Sequence, residues 1–173
     1  LGEWPPPMGI ELRIDLLNIL ILVLVALVAL VNMVASKKSI HEELPIKEGA
    51  FCAVYLLFVT GLFGVLVTAD LFNLYVLLEI TSLASYALLA MGNPDRAPWA
   101  SLNYVFLGVI GASFYLLGVG YLYIMTGSLN MLDVASILPQ VADSSAIAVG
   151  FVFCLVGVWI KMGLFPLHMW LPN

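Results

Sequence analysis

Five apolar stretches, each about as long as a bilayer is thick, dominate this chain. They run from Leu16 to Ala35, Ala50 to Ala69, Leu71 to Met91, Ser101 to Thr126 and Ala146 to Leu164. A helix needs about 20 such residues to cross the hydrocarbon core. Charged residues make up only 10% of the sequence, where a soluble domain carries about a quarter, so there is too little charge to clothe a water-soluble surface. The expected fold class is therefore an all-α membrane protein with about five transmembrane helices, the last one broken. Residues 1–173 read as a single transmembrane segment. No basic patch is present, so nucleic acid is not an expected partner; the lipid bilayer is.

The connections fit that reading. Ser36 to Glu48 reads as a charged, solvated loop, and Asn93-Pro94-Asp95-Arg96-Ala97-Pro98 as a turn-rich link. Thr68-Ala69-Asp70 is very tight, and Asp70 suits the N-cap of the third helix. In the stretch from Gly127 to Ser145, residues Met131 to Leu138 suit a short interfacial helix before Pro139. Lys37, Lys38 and Lys47 follow the first helix and Arg96 follows the third, while the other inter-helix loops carry no Lys or Arg. Cytoplasmic loops are enriched in these residues, which puts 36–48 and 93–98 inside. The fourth helix holds Gly108 and Ala112 at the small-xxx-small spacing that lets helices approach closely. A wet or flexible segment is the other reading. Cys52 and Cys154 lie inside apolar runs and read as free thiols.

Two charges stand where the pattern otherwise reads as membrane core. Glu79 lies eight residues beyond Leu71, about 12 Å along a helix. Tyr75, Glu79, Ser82 and Tyr86 share one helix face at spacings of four, three and four. Lys161 sits near the end of the last apolar run, followed by Gly163 and Pro166, which break helices, and then His168. A charge at the centre of a membrane helix costs roughly 2.5–3.5 kcal/mol on insertion scales and commonly marks an ion or substrate path. Each residue has a plainer reading beside that one. Glu79 can be polar glue between helices, Lys161 can snorkel to the interface, and His168 can be an ordinary satisfied polar group. No metal spacing, nucleotide-binding glycine pattern or nucleophile elbow is present, and no cofactor is expected. The chain carries no catalytic chemistry of its own that the sequence can name.

Two blocks around these charges resemble a known family. One is Asp70-Leu-Phe-Asn-Leu-Tyr-Val-Leu-Leu-Glu79, continuing through Ser85 and Tyr86. The other is Lys161-Met-Gly-Leu-Phe-Pro-Leu-His168-Met-Trp170-Leu-Pro172. A weaker third block runs from Trp4 to Ile10, with Asp15 following. The chain resembles the antiporter-like membrane subunits of respiratory complex I, Mrp-type cation/proton antiporters and membrane-bound hydrogenases. The wording before Glu79 looks most like the Mrp-type D subunit and its hydrogenase relatives. The family pattern usually has Asp where Asn173 stands.

The resemblance implies part of an inverted-repeat fold, about helices three to seven of a larger subunit. The opening Leu1-Gly2-Glu3-Trp4-Pro5-Pro6-Pro7 lacks a basic leader region, and the sequence reads as the middle of a longer chain. It implies proton translocation, with or without Na⁺ exchange, in which Glu79 pairs electrostatically with Lys161. Lys161 is reversibly protonated and His168 passes the proton on. It also implies other integral membrane subunits as partners and a prokaryotic cell membrane as the location. The ion-pumping part of a redox-driven complex, NADH dehydrogenase-like or hydrogenase-like, stays open. The alternative is an ion-inactive scaffold that docks neighbouring subunits.

Overall fold

The computed structural model describes residues 4–92 and 95–168. Six helices follow in order: α1 (Leu16–Glu43), α2 (Glu48–Val67), α3 (Leu71–Ala90), α4 (Ala97–Thr126), α5 (Met131–Val141) and α6 (Ser145–Lys161). Among the described residues there is no strand, only two isolated β-bridges, Leu12 with Thr68 and Asp70 with Asn130. The fold is all-α. Helices α1 to α4 are long and apolar enough to cross a membrane; α6, at 17 residues, falls just short.

Helix ends depart from the apolar runs for local reasons. Asp15 caps α1 by accepting from the Asn18 backbone N–H at 2.9 Å. The helix then outruns its apolar stretch and takes in Ser36–Glu43, most of the expected loop. Lys38 and Glu42 lie 3.8 Å apart on that extension, the i,i+4 spacing that supports a solvated helix. The remaining turn to α2 is short, and His41 Nδ1 lies 2.5 Å from Glu48 Oε1 across it. Helix α4 starts at Ala97, four residues before its apolar run, with Pro98 in the first turn, where a missing N–H costs nothing. Helix α5 forms where a short interfacial helix is expected, with Pro139 inside its last turn rather than beyond it.

The chain folds as two compact units. The first holds the N-terminal segment up to Arg13, Thr68–Val76 and the chain from Asn103 onward. Here α4 and α6 pack antiparallel through glycines. A Cβ placed on Gly157 would lie 2.6 Å from the Tyr115 nitrogen and 2.7 Å from the Gly111 oxygen. One on Gly118 would lie 2.6 Å from both the Cys154 nitrogen and the Gly150 oxygen. The two helices thus touch backbone to backbone, with Tyr115 and Val119 buried in the seam. Phe153 of α6 closes its flank against Phe114 and Tyr121.

The second unit holds Ile14–Val67 and Leu77–Leu102. Tyr55 of α2 donates to the Ala29 carbonyl of α1 at 2.9 Å, and the Asn18 amide donates to the Leu66 carbonyl. These two bonds, one at the start of α1 against the end of α2 and one midway along α1, set the two helices antiparallel. Gly61 and Gly64 let α2 press against Thr81 and Leu77 of α3. Ser101 at the start of α4 donates to the Tyr86 carbonyl at 3.1 Å. No residue in the membrane-length stretch of α1 is buried.

Candidate functional site

Glu79 stands in the ninth position of α3, half-buried, in the second unit. Of its stripe, Ser82 and Tyr86 are buried and Tyr75 is half-buried. The Ser82 hydroxyl donates to the Leu78 carbonyl at 2.7 Å, and Ser85 donates to the Ser82 carbonyl at 2.7 Å. Thr81 likewise donates to Leu77 at 2.8 Å. These hydroxyls spend their protons on their own helix backbone. That keeps polar side chains satisfied in an apolar setting.

Lys161 is the last residue of α6 and is half-buried in the first unit. The helix stops there for a definable reason. Gly163 takes a left-handed conformation with φ of 60°, which costs a glycine little. Its N–H donates to the Ile160 carbonyl at 3.1 Å, and the Leu164 N–H to the Trp159 carbonyl at 3.2 Å. This is a Schellman cap, and it places the lysine ammonium in the last turn, where the negative end of the helix dipole favours a cation. His168 follows one turn later, exposed, with its ring 5.7 Å from that of Phe165. Lys161 and His168 therefore share the end of α6, while Glu79 belongs to the other unit. Trp170, Pro172 and Asn173 of the second sequence block lie outside the described residues, as do Asn93 and Pro94 of the turn-rich link and the first three residues.

Asp70 caps α3 as its position suggests, accepting from the Asn73 N–H at 2.7 Å. It belongs to a buried polar junction that the sequence reading did not foresee, shared with Glu11 and Asn130. Asn130 caps α5 through the Leu132 and Asp133 N–H groups at 3.0 and 3.1 Å, and its amide donates to Glu11 Oε2 at 2.5 Å. The signal for the cap was present, an Asn directly before an amphipathic run. The partner in Glu11 had no such signal. A cavity of about 470 Å³ between α4, α5 and α6 is lined by residues such as Leu122, Val134, Leu138 and Phe151, with no charged side chain among them. Among the described residues, no group of three or more His, Cys, Asp and Glu could hold a metal ion.

Four helices long and apolar enough to cross a membrane mark the chain as an integral membrane protein. Residues 68–173 match the family described as NADH:quinone oxidoreductase/Mrp antiporter, TM. A protein named NADH-quinone oxidoreductase subunit N from Desulforudis audaxviator is 52% identical over 170 residues, covering 98% of this chain and 34% of that protein. The Na(+)/H(+) antiporter D subunit from Alkalihalophilus pseudofirmus is 35% identical over 173 residues, covering 100% of this chain and 35% of that protein. The solved structure of the membrane-bound sulfane sulfur reductase, an archaeal respiratory membrane complex, superposes with a TM-score of 0.82 at 34% identity, covering 98% of this chain and 34% of that one. The chain spans about a third of the length of these relatives. It belongs to the NADH:quinone oxidoreductase/Mrp antiporter transmembrane family.

Proposed function

We propose that residues 1–173 form one transmembrane segment of a larger antiporter-like subunit and carry part of its proton path. In this reading Lys161 takes up and releases the proton, and Glu79 in its charged form favours the protonated lysine. His168 hands the proton onward. The observation that carries the proposal is the end of α6, where a lysine closes a helix inside an apolar run and the chain then breaks instead of continuing. At an effective dielectric near 20, unit charges 4 Å apart interact by about 4 kcal/mol, so moving a carboxylate toward or away from the lysine is enough to load or unload it. The ion moved is H⁺, with Na⁺ exchange as the variant that the antiporter relatives' names suggest. The partners are other integral membrane subunits of one complex, and the membrane is that of a prokaryotic cell.

A specific observation favours a second reading, the ion-inactive scaffold. The exposed apolar length of α1 offers a surface for neighbouring subunits. Both readings are tested by proton uptake into inverted vesicles carrying the intact parent complex, wild type against Lys161→Ala, with assembly checked by native gel. Loss of uptake in a fully assembled variant is the expected result. Normal uptake would remove Lys161 from the path and leave the scaffold.

A further inference from the structure

Three connectors meet in the first unit: residues 11–12 ahead of α1, residues 68–70 between α2 and α3, and residues 128–130 between α4 and α5. The Ala69 N–H donates to the Glu11 carbonyl at 3.0 Å. The Met131 N–H donates to the Ala69 carbonyl at 2.9 Å, and the Leu71 N–H to the Leu129 carbonyl at 2.8 Å. The 68–70 link is thus the middle of three backbone segments, bridged on one side through Leu12 and Thr68 and on the other through Asp70 and Asn130. The Asn130 amide then ties the third connector directly to the first through Glu11 Oε2. The Asn73 amide donates to Thr68 Oγ1 at 2.9 Å and fastens the middle link to α3. Asp70, Ser128 and Asn130 are only 6%, 5% and 3% exposed, so the polar centre of the junction is interior, while Leu12, 61% exposed, puts the first connector at its surface.

Its place in the chain gives it a side. Helix α2 begins at Glu48, next to Lys47, and ends at Val67, next to Thr68. The junction and the lysine-bearing turn therefore sit at opposite ends of one spanning helix. Cytoplasmic loops are the lysine-rich ones, which puts the junction at the outer end.

We propose that this junction is a fixed seal: it closes the outer end of the first unit and stays closed throughout turnover, so that an ion handled at α6 does not leave past it. The proposal rests on the proton-transfer reading above and adds where the path is blocked. Backbone bonds between connectors suit such a role, because buried amide and carbonyl groups cannot part without finding other partners. Apolar packing alone could slide; paired backbone cannot do so by small steps.

The test uses the parent subunit in its assembled complex, with Cys52 and Cys154 replaced by alanine. Leu12→Cys with Thr68→Cys places two thiols on antiparallel bridge partners, whose Cα atoms stand about 4.5–5.5 Å apart, inside the usual disulfide range of about 4.4–6.8 Å. A fixed seal gives efficient cross-linking and the same proton uptake oxidised or reduced. Uptake that stops on oxidation and returns with reductant makes the junction a moving gate and overturns the proposal. Failure to cross-link overturns the geometry itself. A second variant, Glu11→Ala with Asn130→Ala, is read as passive proton leak in de-energised vesicles. A faster leak is expected, and an unchanged leak counts against a seal. If Lys161→Ala pumps normally, the proton-transfer reading fails, while the cross-linking and leak results still report on the seal.

Discussion

Gly157→Ala adds one methyl group to the seam between α4 and α6, and the structure fixes what that methyl meets. Its carbon would lie 2.6 Å from the Tyr115 nitrogen, 2.7 Å from the Gly111 oxygen and 2.8 Å from the Tyr115 Cβ. Two of the three are backbone atoms, which cannot swing away, so the helices must separate. Overpacking of this kind costs about 1–3 kcal/mol. Against it stands the gain of replacing glycine by alanine in a helix, up to about 1 kcal/mol. The net expectation is a loss of about 1–2 kcal/mol. Gly120→Ala is the control on the facing helix, because a Cβ there meets nothing within 4 Å. It keeps only the propensity gain, about 0.5–1 kcal/mol. The assay is equilibrium unfolding of the full subunit in mixed micelles, followed by tryptophan fluorescence. The two variants should move in opposite directions and, since both carry the propensity gain, differ by the overpacking cost of about 1–3 kcal/mol, a factor of about 5–150 in the folding equilibrium. If both shift the same way by the same amount, α4 and α6 are not in backbone contact at Gly157 and the packing argument fails.

Two smaller perturbations probe single bonds. Tyr115→Phe removes the hydroxyl that donates to the Leu71 carbonyl at 3.2 Å, and should lower stability by about 0.5–1.5 kcal/mol in the same unfolding assay. Gly163→Ala puts a side chain at φ of 60° and should cost about 1–2 kcal/mol, read as faster amide exchange at Gly163 and Leu164, whose N–H groups make the cap; unchanged exchange would mean that the left-handed cap is not what ends α6.

Helix existence was legible because hydropathy reports the thickness of a solvent. Helix ends were less so, because they obey other rules. Membrane hydropathy stops at Ala35, but the helix stops at Glu43, since Ser36–Glu43 satisfies its backbone in water as readily as in lipid. Thr68 and Ala69 read as the tail of the second apolar helix, yet their backbone groups go to Glu11, Leu12 and Met131. Backbone pairing across more than fifty residues leaves no side-chain pattern for a sequence to show. The glycine seam was half visible. Gly108 and Ala112 on the fourth helix announced close packing, and both are buried. The direct contacts lie at Gly111 and Gly118, whose partners Gly150 and Gly157 on α6 repeat the same seven-residue step. The candidate charges were legible as exceptions: an acid or a base costs too much in an apolar run to pass unnoticed. The branch of the family was the subtler matter. The residues before Glu79 look Mrp-like, while identity over the whole chain is higher with the NADH-quinone oxidoreductase relative than with the Na(+)/H(+) antiporter one.

The end of α6 bears on whether Lys161 is a site or merely a lysine reaching for water. Seventeen residues rise about 25 Å, short of the roughly 30 Å hydrocarbon core. From that depth a lysine stem could snorkel to the far interface, and α6 would then be a short spanning helix with a polar foot. The residues that follow argue otherwise. A chain leaving the membrane becomes polar, whereas here Leu164, Phe165, Pro166 and Leu167 continue the apolar run after the helix has ended. Non-helical backbone at membrane depth survives only against protein or beside a wet cavity. The Schellman cap satisfies the Ile160 and Trp159 carbonyls within the turn itself, and the Leu167 N–H donates to the Leu164 carbonyl at 2.6 Å. The turn thus satisfies part of its own backbone, with the ammonium in the last turn of α6, where the helix dipole favours charge. On the proposed proton path, a lysine in that position is costly unless water or a carboxylate stabilises it, and Lys161 is the residue whose replacement separates proton path from scaffold.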